Sequence, residues 1–596
     1  MHITKSVKEK ECLDRIAELE LQIKNLKNRK RYGLVWEDKV EKFDEESKDA
    51  LPILREKGNS YPDIITDKNQ DFNILIEGDN YHSLSVLSYT HKNKIDIIYI
   101  DPPYNTGNKD FIYNDYYVDK EDRFKHSKWL SFMDKRLKLA KSLLAKEGVI
   151  FISIGEDEVA QLRLLCNQIF GEQNFVTQII WHNLVGGRQM DLHIKNTYEH
   201  VLVYARNLKK LNANQEKDAV NVEKLEHDGI SFYKKYFPLH NVTADYHINN
   251  RPNLAYSIYY NHSKSHAITV DEKQKNEGGG FLIGEPTKMD LIKKGYIRII
   301  PKFNFKYKNQ RVWRWGKEKF LEKYKTELLF DKEEDGNTYV FQKKRYGENG
   351  IYWKKFKNYI KIASGTGKKE LLNILGEKKF DNPKPSSLIK WLIGIFTKEN
   401  SIILDFFAGS GTTGQAVLEL NRDEIGNRTF ILCTNNEGKI CEDVTYERIK
   451  RVVNGYNDSE KNKIDGLGGN LKYLKTDFIK LKNYSIDSLK DKMAQGSTEI
   501  LCLKENTFEL VLDNYKKNKI KIFKNDSKYS AILFDLFYLE NFIEQLKKLK
   551  DKPVSVYVFS YAKEFSKEEF GELGIEFTVE TIPEKILETY KKIFDF

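Results

Sequence analysis

Ile95-Asp96-Ile97-Ile98-Tyr99-Ile100-Asp101-Pro102-Pro103-Tyr104-Asn105-Thr106-Gly107 is the stretch whose reading decides the fold. Its first six residues are mostly apolar β-formers, and they predict a buried strand that ends at Asp101. Pro102 and Pro103 cannot extend a ladder, because neither has an N–H and both fix φ, so the chain must turn out of the sheet there. In an open α/β sheet, ligands bind at such strand ends. A carboxylate, proline-flanked carbonyls and the flat face of Tyr104 make a rigid set of acceptors that suits a planar ring bearing an exocyclic amine. Taken alone, the same residues also describe a strand-to-loop turn with an ordinary Asp cap.

On either side the chain keeps a strand–helix rhythm. Residues 73–77 read as a short strand that turns at Gly78, which leaves Asp79 at a strand's C-terminal end. Leu130, Met133, Leu137, Ala140 and Leu144 predict an amphipathic helix over 129–146, closed by Gly148. Residues 149–154 are then another buried strand, so strand, helix and strand predict a right-handed parallel unit. Two more β-rich runs, 175–181 and 200–204, bring this half to an end near Arg206. The rhythm returns after Pro383 and Pro385 with an apolar helix over 386–396 and then residues 401–414: a strand ending in Asp405, a glycine-rich turn and a helix start. Glycines let a ligand approach the backbone, and a helix N-terminus favours a carboxylate or phosphate. The next strand, 429–433, leads to Glu437, and an acid after the second strand is where ribose hydroxyls are held in this architecture.

Charge separates the middle from the rest. Residues 207–375 hold 33 Lys and Arg against 20 Asp and Glu, on a chain whose net charge is +11, so the remainder is slightly acidic. A polyanion-binding role belongs to that segment. Its densest part, 302–315, interleaves cations with rings, and Lys302, Lys306, Lys308, Arg311, Trp313, Arg314, Trp315 and Lys317 are the expected contacts to phosphates, sugars and bases. A solvated β-hairpin with a tryptophan core is the plainer reading of the same stretch.

Other features exclude function classes. Residues 365–368, Gly-Thr-Gly-Lys, superficially suggest a phosphate loop, but Ile362 stands where its first glycine should be, so no nucleotide-hydrolysis motif is present. The five cysteines are scattered without a Cys-x-x-Cys pair, and His262 and His266 have no third ligand nearby, so no metal is expected. No apolar run is long enough to span a membrane and the N-terminus is charged, so a cytoplasmic protein is expected. Cys12, Ile16, Leu19, Ile23 and Leu26 form a two-heptad seam, which predicts an N-terminal helix that packs on a partner or on its own body.

The ordered pair of residues 101–104, Asp-Pro-Pro-Tyr, and residues 407–411, Phe-x-Gly-x-Gly, resembles the amino-methylating DNA methyltransferases, in the arrangement where the catalytic motif precedes the cofactor motif. Residues 32–38, 76–81, 101–107, 313–316, Lys384-Pro385 and 445–448 together resemble the modification (Mod) subunit of type III restriction–modification systems, over roughly 32–480. The resemblance implies an α/β fold with a Rossmann-like methyltransferase sheet in circularly permuted motif order. It implies S-adenosyl-L-methionine as cofactor and adenine N6 in duplex DNA as acceptor. The implied catalytic residues are Asp101, Pro102, Pro103 and Tyr104. The implied cofactor contacts are Asp79, Lys384, Pro385, Asp405, Phe407, Ala408, Gly409, Ser410, Gly411, Thr412 and Glu437, the last standing farther beyond its strand than the acid of many relatives.

The expected organisation is an N-terminal helix (1–32), a catalytic half (33–206), an inserted target-recognition domain (207–375), a cofactor half (376–480) and a smaller C-terminal α/β domain (481–596). A homodimer and an ATP-dependent restriction (Res) subunit are the implied protein partners, with the seam at 12–26 and the region after 481 as contact surfaces. A solitary adenine methyltransferase and a catalytically idle DNA-recognition subunit are the alternatives.

Overall fold

The structure is a computed structural model that describes residues 36, 40–47, 50–58, 61–67, 70–107, 112–113, 116–117, 122–183, 193–194, 196–243, 245–275, 279–480, 486–560 and 565–594. The seam at 12–26 and nearly all of the 32–38 motif lie outside them. The described residues fall into two compact units, one built from the stretches on either side of 215–356 and one from 215–356 itself.

The first unit is organised by a ten-stranded sheet: β1 (Ala50–Glu56), β2 (Phe72–Glu77), β3 (Ile95–Ile100), β4 (Leu144–Ile154), β5 (Phe175–His182), β6 (Tyr198–Ala205), β7 (Tyr359–Lys361), β8 (Ile402–Asp405), β9 (Thr429–Thr434) and β10 (Asn470–Lys480). Their order across the sheet is β1-β10-β2-β9-β8-β3-β4-β6-β5-β7. The six strands from β10 to β4 are parallel, while β6 enters antiparallel between β4 and β5. Parallel strands are covered on both faces, which is why β3 and β9 read as unbroken apolar runs rather than alternating ones. Adjacent β3 and β8 continue in opposite directions, β3 through the helix Lys125–Leu143 to β4, and β8 through the helix Thr412–Glu424 to β9. The crevice beyond their C-terminal ends is therefore a topological switch point, where ligands bind in this architecture. No described helix is long and apolar enough to cross a membrane.

Three expectations change. Gly148 does not close the helix, which ends at Leu143; it lies inside β4, where a Cβ would stand 2.9 Å from the Ile95 carbonyl oxygen, so glycine is needed for close strand approach. The basic unit spans 215–356 rather than 207–375. Asn214 bonds the backbone of Gly394, Ile395 and Thr397, and residues 359–361 return to the main sheet as β7. Finally, the region after 481 is not a separate domain. Its five-stranded sheet shares a core with the main sheet, with Ile500, Ile532, Tyr557 and Tyr590 packed in one cluster with Leu54, Leu84 and Leu87. Tyr590 donates to the Pro52 carbonyl at 2.8 Å and Tyr89 to Glu580 at 2.6 Å, which ties the two sheets together.

The 215–356 unit has a four-stranded antiparallel sheet of Glu226–His227, Phe232–Pro238, Thr338–Tyr346 and Leu328–Lys332, and a three-stranded one. Its core holds Leu239, Tyr256, Ile258, Trp313, Trp315, Phe320 and Val340.

Candidate active site

The loop after β3 is fixed from several sides. The Trp129 indole N–H donates to the Pro103 carbonyl at 2.8 Å. Asn105, in the left-handed region with φ 56°, donates to Glu158 at 2.5 Å, and His126 bonds the same carboxylate oxygen at 2.6 Å. Burial pushes the Glu158 pKa up, against the opposing pull of Asn105 and His126. The Tyr104 ring rests on Gly155, where any Cβ would stand 2.9 Å from Cδ2, and its phenol donates to Glu199 at 2.7 Å. Asp101 is left with two unequal oxygens. Oδ2 pairs with the Lys384 ammonium at 2.8 Å, whereas Oδ1 is buried and has no hydrogen-bond partner among the described residues. Burial raises the Asp101 pKa and Lys384 opposes the rise.

The glycine turn after β8 is held from beneath. Asp405 accepts from the Phe407 N–H at 3.0 Å and from Thr413 Oγ1 at 2.5 Å, and burial pushes its pKa up to about 7. Gly411 has φ 77°, and a side chain there would press on Thr445 at 3.1 Å. Ala408 N–H bonds the Cys433 carbonyl, and Thr445 Oγ1 donates to the Gly409 carbonyl at 2.5 Å. Buried Arg448 donates to Ser410 and Thr412 at 3.1 and 2.7 Å. Asp79 caps the helix Asn80–Thr90 and stands 3.4 Å from Arg136, which also forks onto Glu41 at 2.9 Å.

Both turns open on one cavity of about 850 Å³, lined by Gly78, Asp79, Asp101, Pro102, Pro103, Phe132, Phe406, Phe407, Gly409, Asn435 and Glu437 among others. The carboxylates of Glu41, Glu46, Asp79, Asp101 and Glu437 outnumber Lys42 and Arg136 around it, which suits a cationic ligand. A Cβ on Gly409 would meet nothing closer than 3.6 Å, so the backbone there is open to a ligand.

The structure thus brings Asp79, Asp101, Pro102, Pro103, Phe407, Gly409 and Glu437 together and moves other expected contacts elsewhere. Asp405, Ser410 and Thr412 spend their side chains inside the turn, with Ala408 and Gly411 shaping it. Pro385 begins the helix Ser386–Gly394. Lys384 faces the Asp101 carboxylate instead of the cavity wall. Tyr104 stands behind that wall, with the Lys384 ammonium 4.9 Å from its ring centre.

The family model described as DNA methylase (N6_N4_Mtase) matches residues 95–440, more than half of the chain. The chain belongs to the N6/N4 DNA methylase family. This methylase is 33% identical to the type III restriction-modification enzyme EcoPI Mod subunit of Escherichia phage P1, over 61% of this chain and 58% of that one. It is 29% identical to the StyLTI Mod subunit of Salmonella typhimurium, over 65% and 58%. It is 31% identical to the type II methyltransferase M.KpnI of Klebsiella pneumoniae, over 67% of this chain and 90% of that one. The methylase therefore spans somewhat under three fifths of the two Mod subunits' length.

Among the expected DNA contacts, two are overturned. Trp313 is 1% exposed and donates its indole N–H to the Tyr256 carbonyl at 2.7 Å, while Tyr256 donates to the Trp315 carbonyl at 2.9 Å. Both tryptophans are core of the 215–356 unit rather than part of its surface. Arg311 is half-buried and Lys317 pairs with Asp271 at 3.2 Å. What the unit exposes is the hairpin at 303–310: Phe305 is 85% exposed, beside Phe303, Tyr307, Lys302, Lys306 and Lys308, with Arg314 exposed nearby in sequence.

Sequence reasoning missed Trp129, Gly155, Glu158 and Glu199. Only Glu199 left a signal, as a lone acid at the start of an apolar strand whose following residues are buried.

Proposed function

We propose that this chain transfers a methyl group from S-adenosylmethionine to adenine N6 in duplex DNA, as the modification subunit of a type III restriction–modification system. The observation that carries it is the buried Asp101 Oδ1, unpartnered among the described residues, on a residue that lines the same cavity as the glycine turn, in a chain of the N6/N4 methylase family. When bound, S-adenosylmethionine would supply an electrophilic methyl group on a sulfonium, whose leaving group is a neutral thioether.

The residues present fit that ligand and a flipped base. Asp79 and Glu437 can accept hydrogen bonds from ribose hydroxyls or the adenine amine, and Phe407 offers an apolar wall. A target base inside a duplex is out of reach, so it must leave the stack. Asp101 Oδ1 then accepts one N6–H and the Pro102 carbonyl the other, which turns the nitrogen lone pair toward the methyl group; the methylated, cationic N6 then passes one proton by way of the Asp101 carboxylate to solvent, with Tyr104 behind the cavity wall. Catalysis here is positioning and electrostatics, and it needs no covalent intermediate. The basic 215–356 unit is the target reader, through Phe305, Lys302, Lys306, Lys308 and Arg314.

The same proposal includes a homodimer, an ATP-dependent Res subunit as partner and action in the cytoplasm, supported by the similarity to Mod subunits. One observation favours a second reading, a solitary methyltransferase: coverage of M.KpnI reaches 90% of that protein. Methylation-aware sequencing of DNA from cells with and without the protein tests the activity. N6-methyladenine at one sequence context is expected, and its absence, or its persistence with Asp101→Ala, overturns the assignment. Co-purification of an ATP-dependent nuclease separates the two readings.

A further inference from the structure

We propose that Lys384 and Glu199 are positioning residues for methyl transfer, Lys384 aiming the Asp101 carboxylate at the target amine and Glu199 holding both Lys384 and the Tyr104 ring. This rests on the methyltransferase reading. The Lys384 ammonium stands between two carboxylates, 2.8 Å from Asp101 and 3.7 Å from Glu199. Glu199 is itself pinned, by the Tyr104 phenol at 2.7 Å and by the Asn183 side-chain amide at 2.7 Å on its other oxygen. A lysine whose side chain is only 14% exposed, held 283 positions along the chain from its partner, is not a solvated surface pair.

The backbone around Lys384 is fixed as well. A Cβ on Gly367 would stand 2.3 Å from the Pro383 carbonyl oxygen and 2.8 Å from the Lys384 carbonyl carbon, so the helix Gly365–Leu375 lies directly against that peptide. The Gly-Thr-Gly-Lys stretch that mimics a phosphate loop is thus a packing device for the lysine.

Two consequences follow for the reaction. By taking Oδ2, Lys384 leaves Oδ1 as the oxygen of Asp101 that a target amine can use beside the Pro102 carbonyl, which sets the direction of the nitrogen lone pair. Counting Asp101 and Glu199 as carboxylates and Lys384 as ammonium, the cluster keeps one net negative charge beside the nitrogen that becomes cationic as the methyl group arrives. Burial works against the ammonium, yet Asp101 and Glu199 more than offset it and hold the Lys384 pKa above the usual lysine range. The other groups that face Asp101 are Tyr104 from its own loop, Tyr99 from β3 and Asp405 from β8. None of these supplies a cation, so Lys384 is the charge that opposes the burial-driven rise of the Asp101 pKa.

The test uses the full chain, S-adenosylmethionine and a duplex carrying its methylated sequence, with cofactor affinity by calorimetry and methyl transfer by single-turnover kinetics across pH. Lys384→Met is expected to bind the cofactor within a few-fold of wild type and to lose roughly 100-fold in rate, the scale of one preorganised electrostatic group. Because Asp101 then loses the group that lowers its pKa, the acidic limb of the pH–rate profile moves to higher pH; Lys384→Arg moves it back and restores part of the rate. Glu199→Gln, which still accepts from Tyr104, loses rate without losing cofactor. A wild-type rate and acidic limb in Lys384→Met, or a defect confined to cofactor affinity, overturns the proposal. Should Lys384→Met fail to fold, Lys384→Arg and Glu199→Gln at the wild-type rate and limb overturn it equally. Absence of adenine methylation by the wild-type chain would instead sink the methyltransferase reading.

Discussion

Trp129 donates its indole N–H to the Pro103 carbonyl at 2.8 Å, which ties the strand end that carries Asp101 to the helix Lys125–Leu143. Trp129 is fully buried, so the bond is made in a water-poor place and cannot be replaced by solvent. Trp129→Phe keeps the ring and deletes the donor. It should cost about 1–3 kcal/mol of stability, the penalty for leaving one partner of a buried hydrogen bond unpaired, and it should lower the methyl-transfer rate. Urea unfolding checks the first part; an unchanged midpoint would mean that the carbonyl finds another donor.

Gly155 and Tyr104 are related just as closely. A methyl group added at Gly155 would sit 2.9 Å from the Tyr104 ring, and no flexible side-chain end is there to give way. Gly155→Ala should displace the ring and its bond to Glu199, so transfer falls while S-adenosylmethionine binding stays near normal. Equal loss of both in calorimetry and single-turnover assays would place the damage in the fold instead.

The Asp405 carboxyl makes stability pH-dependent in a way that can be signed. Burial raises its folded pKa to about 7, above the ordinary 3.8, so between those values the folded chain binds the extra proton and the unfolded chain does not. Stability from this group is therefore fully present below about pH 3.8 and is lost as pH rises through 7, by on the order of 4 kcal/mol across the whole span. Asp405→Asn keeps an acceptor for the Phe407 N–H and removes the titration. Its unfolding midpoint should flatten between pH 5 and pH 8 relative to wild type, and parallel pH profiles for the two proteins would refute this.

The strand into Asp101 and the glycine turn after Asp405 were legible because their signals are local. Two prolines end a strand whatever surrounds them, and glycine spacing at a strand end has few structural meanings. The direction in which a side chain leaves such a turn was not legible, since packing decides it. Asp405 looked like a ligand and is an internal brace; Lys384 looked like a cofactor contact and is the counter-charge of Asp101. Glu199 and Gly155 belong to no motif, and only the pairing of β4 with β6 brings them to Tyr104. The cation–aromatic stretch at 302–315 carried both of its readings at once. The rings at 303–307 are on the surface, whereas those at 313 and 315 are core, and alternation of charge and ring cannot tell the two apart.

That split gives a paired prediction within one hairpin and its anchor. Phe305 is 85% exposed, so Phe305→Ala should leave stability within about 0.5 kcal/mol of wild type, as for most surface changes. If its ring stacks on a base or sugar, the same change weakens DNA binding by about 1–3 kcal/mol. Lys306→Ala, at an exposed neighbour, should weaken binding to all duplexes alike and lower the salt dependence by about one. Trp313 makes the opposite case. It is buried against Tyr256 and Phe320, and Trp313→Ala should cost the 215–356 unit about 3–5 kcal/mol through lost packing and an unpaired Tyr256 carbonyl. DNA affinity then falls because the unit melts, so cooling or an added osmolyte should recover it for Trp313→Ala and leave Phe305→Ala unchanged. Binding isotherms at two temperatures and several salt concentrations separate these outcomes. A Phe305→Ala protein with wild-type affinity and site preference would remove the hairpin tip from the recognition surface.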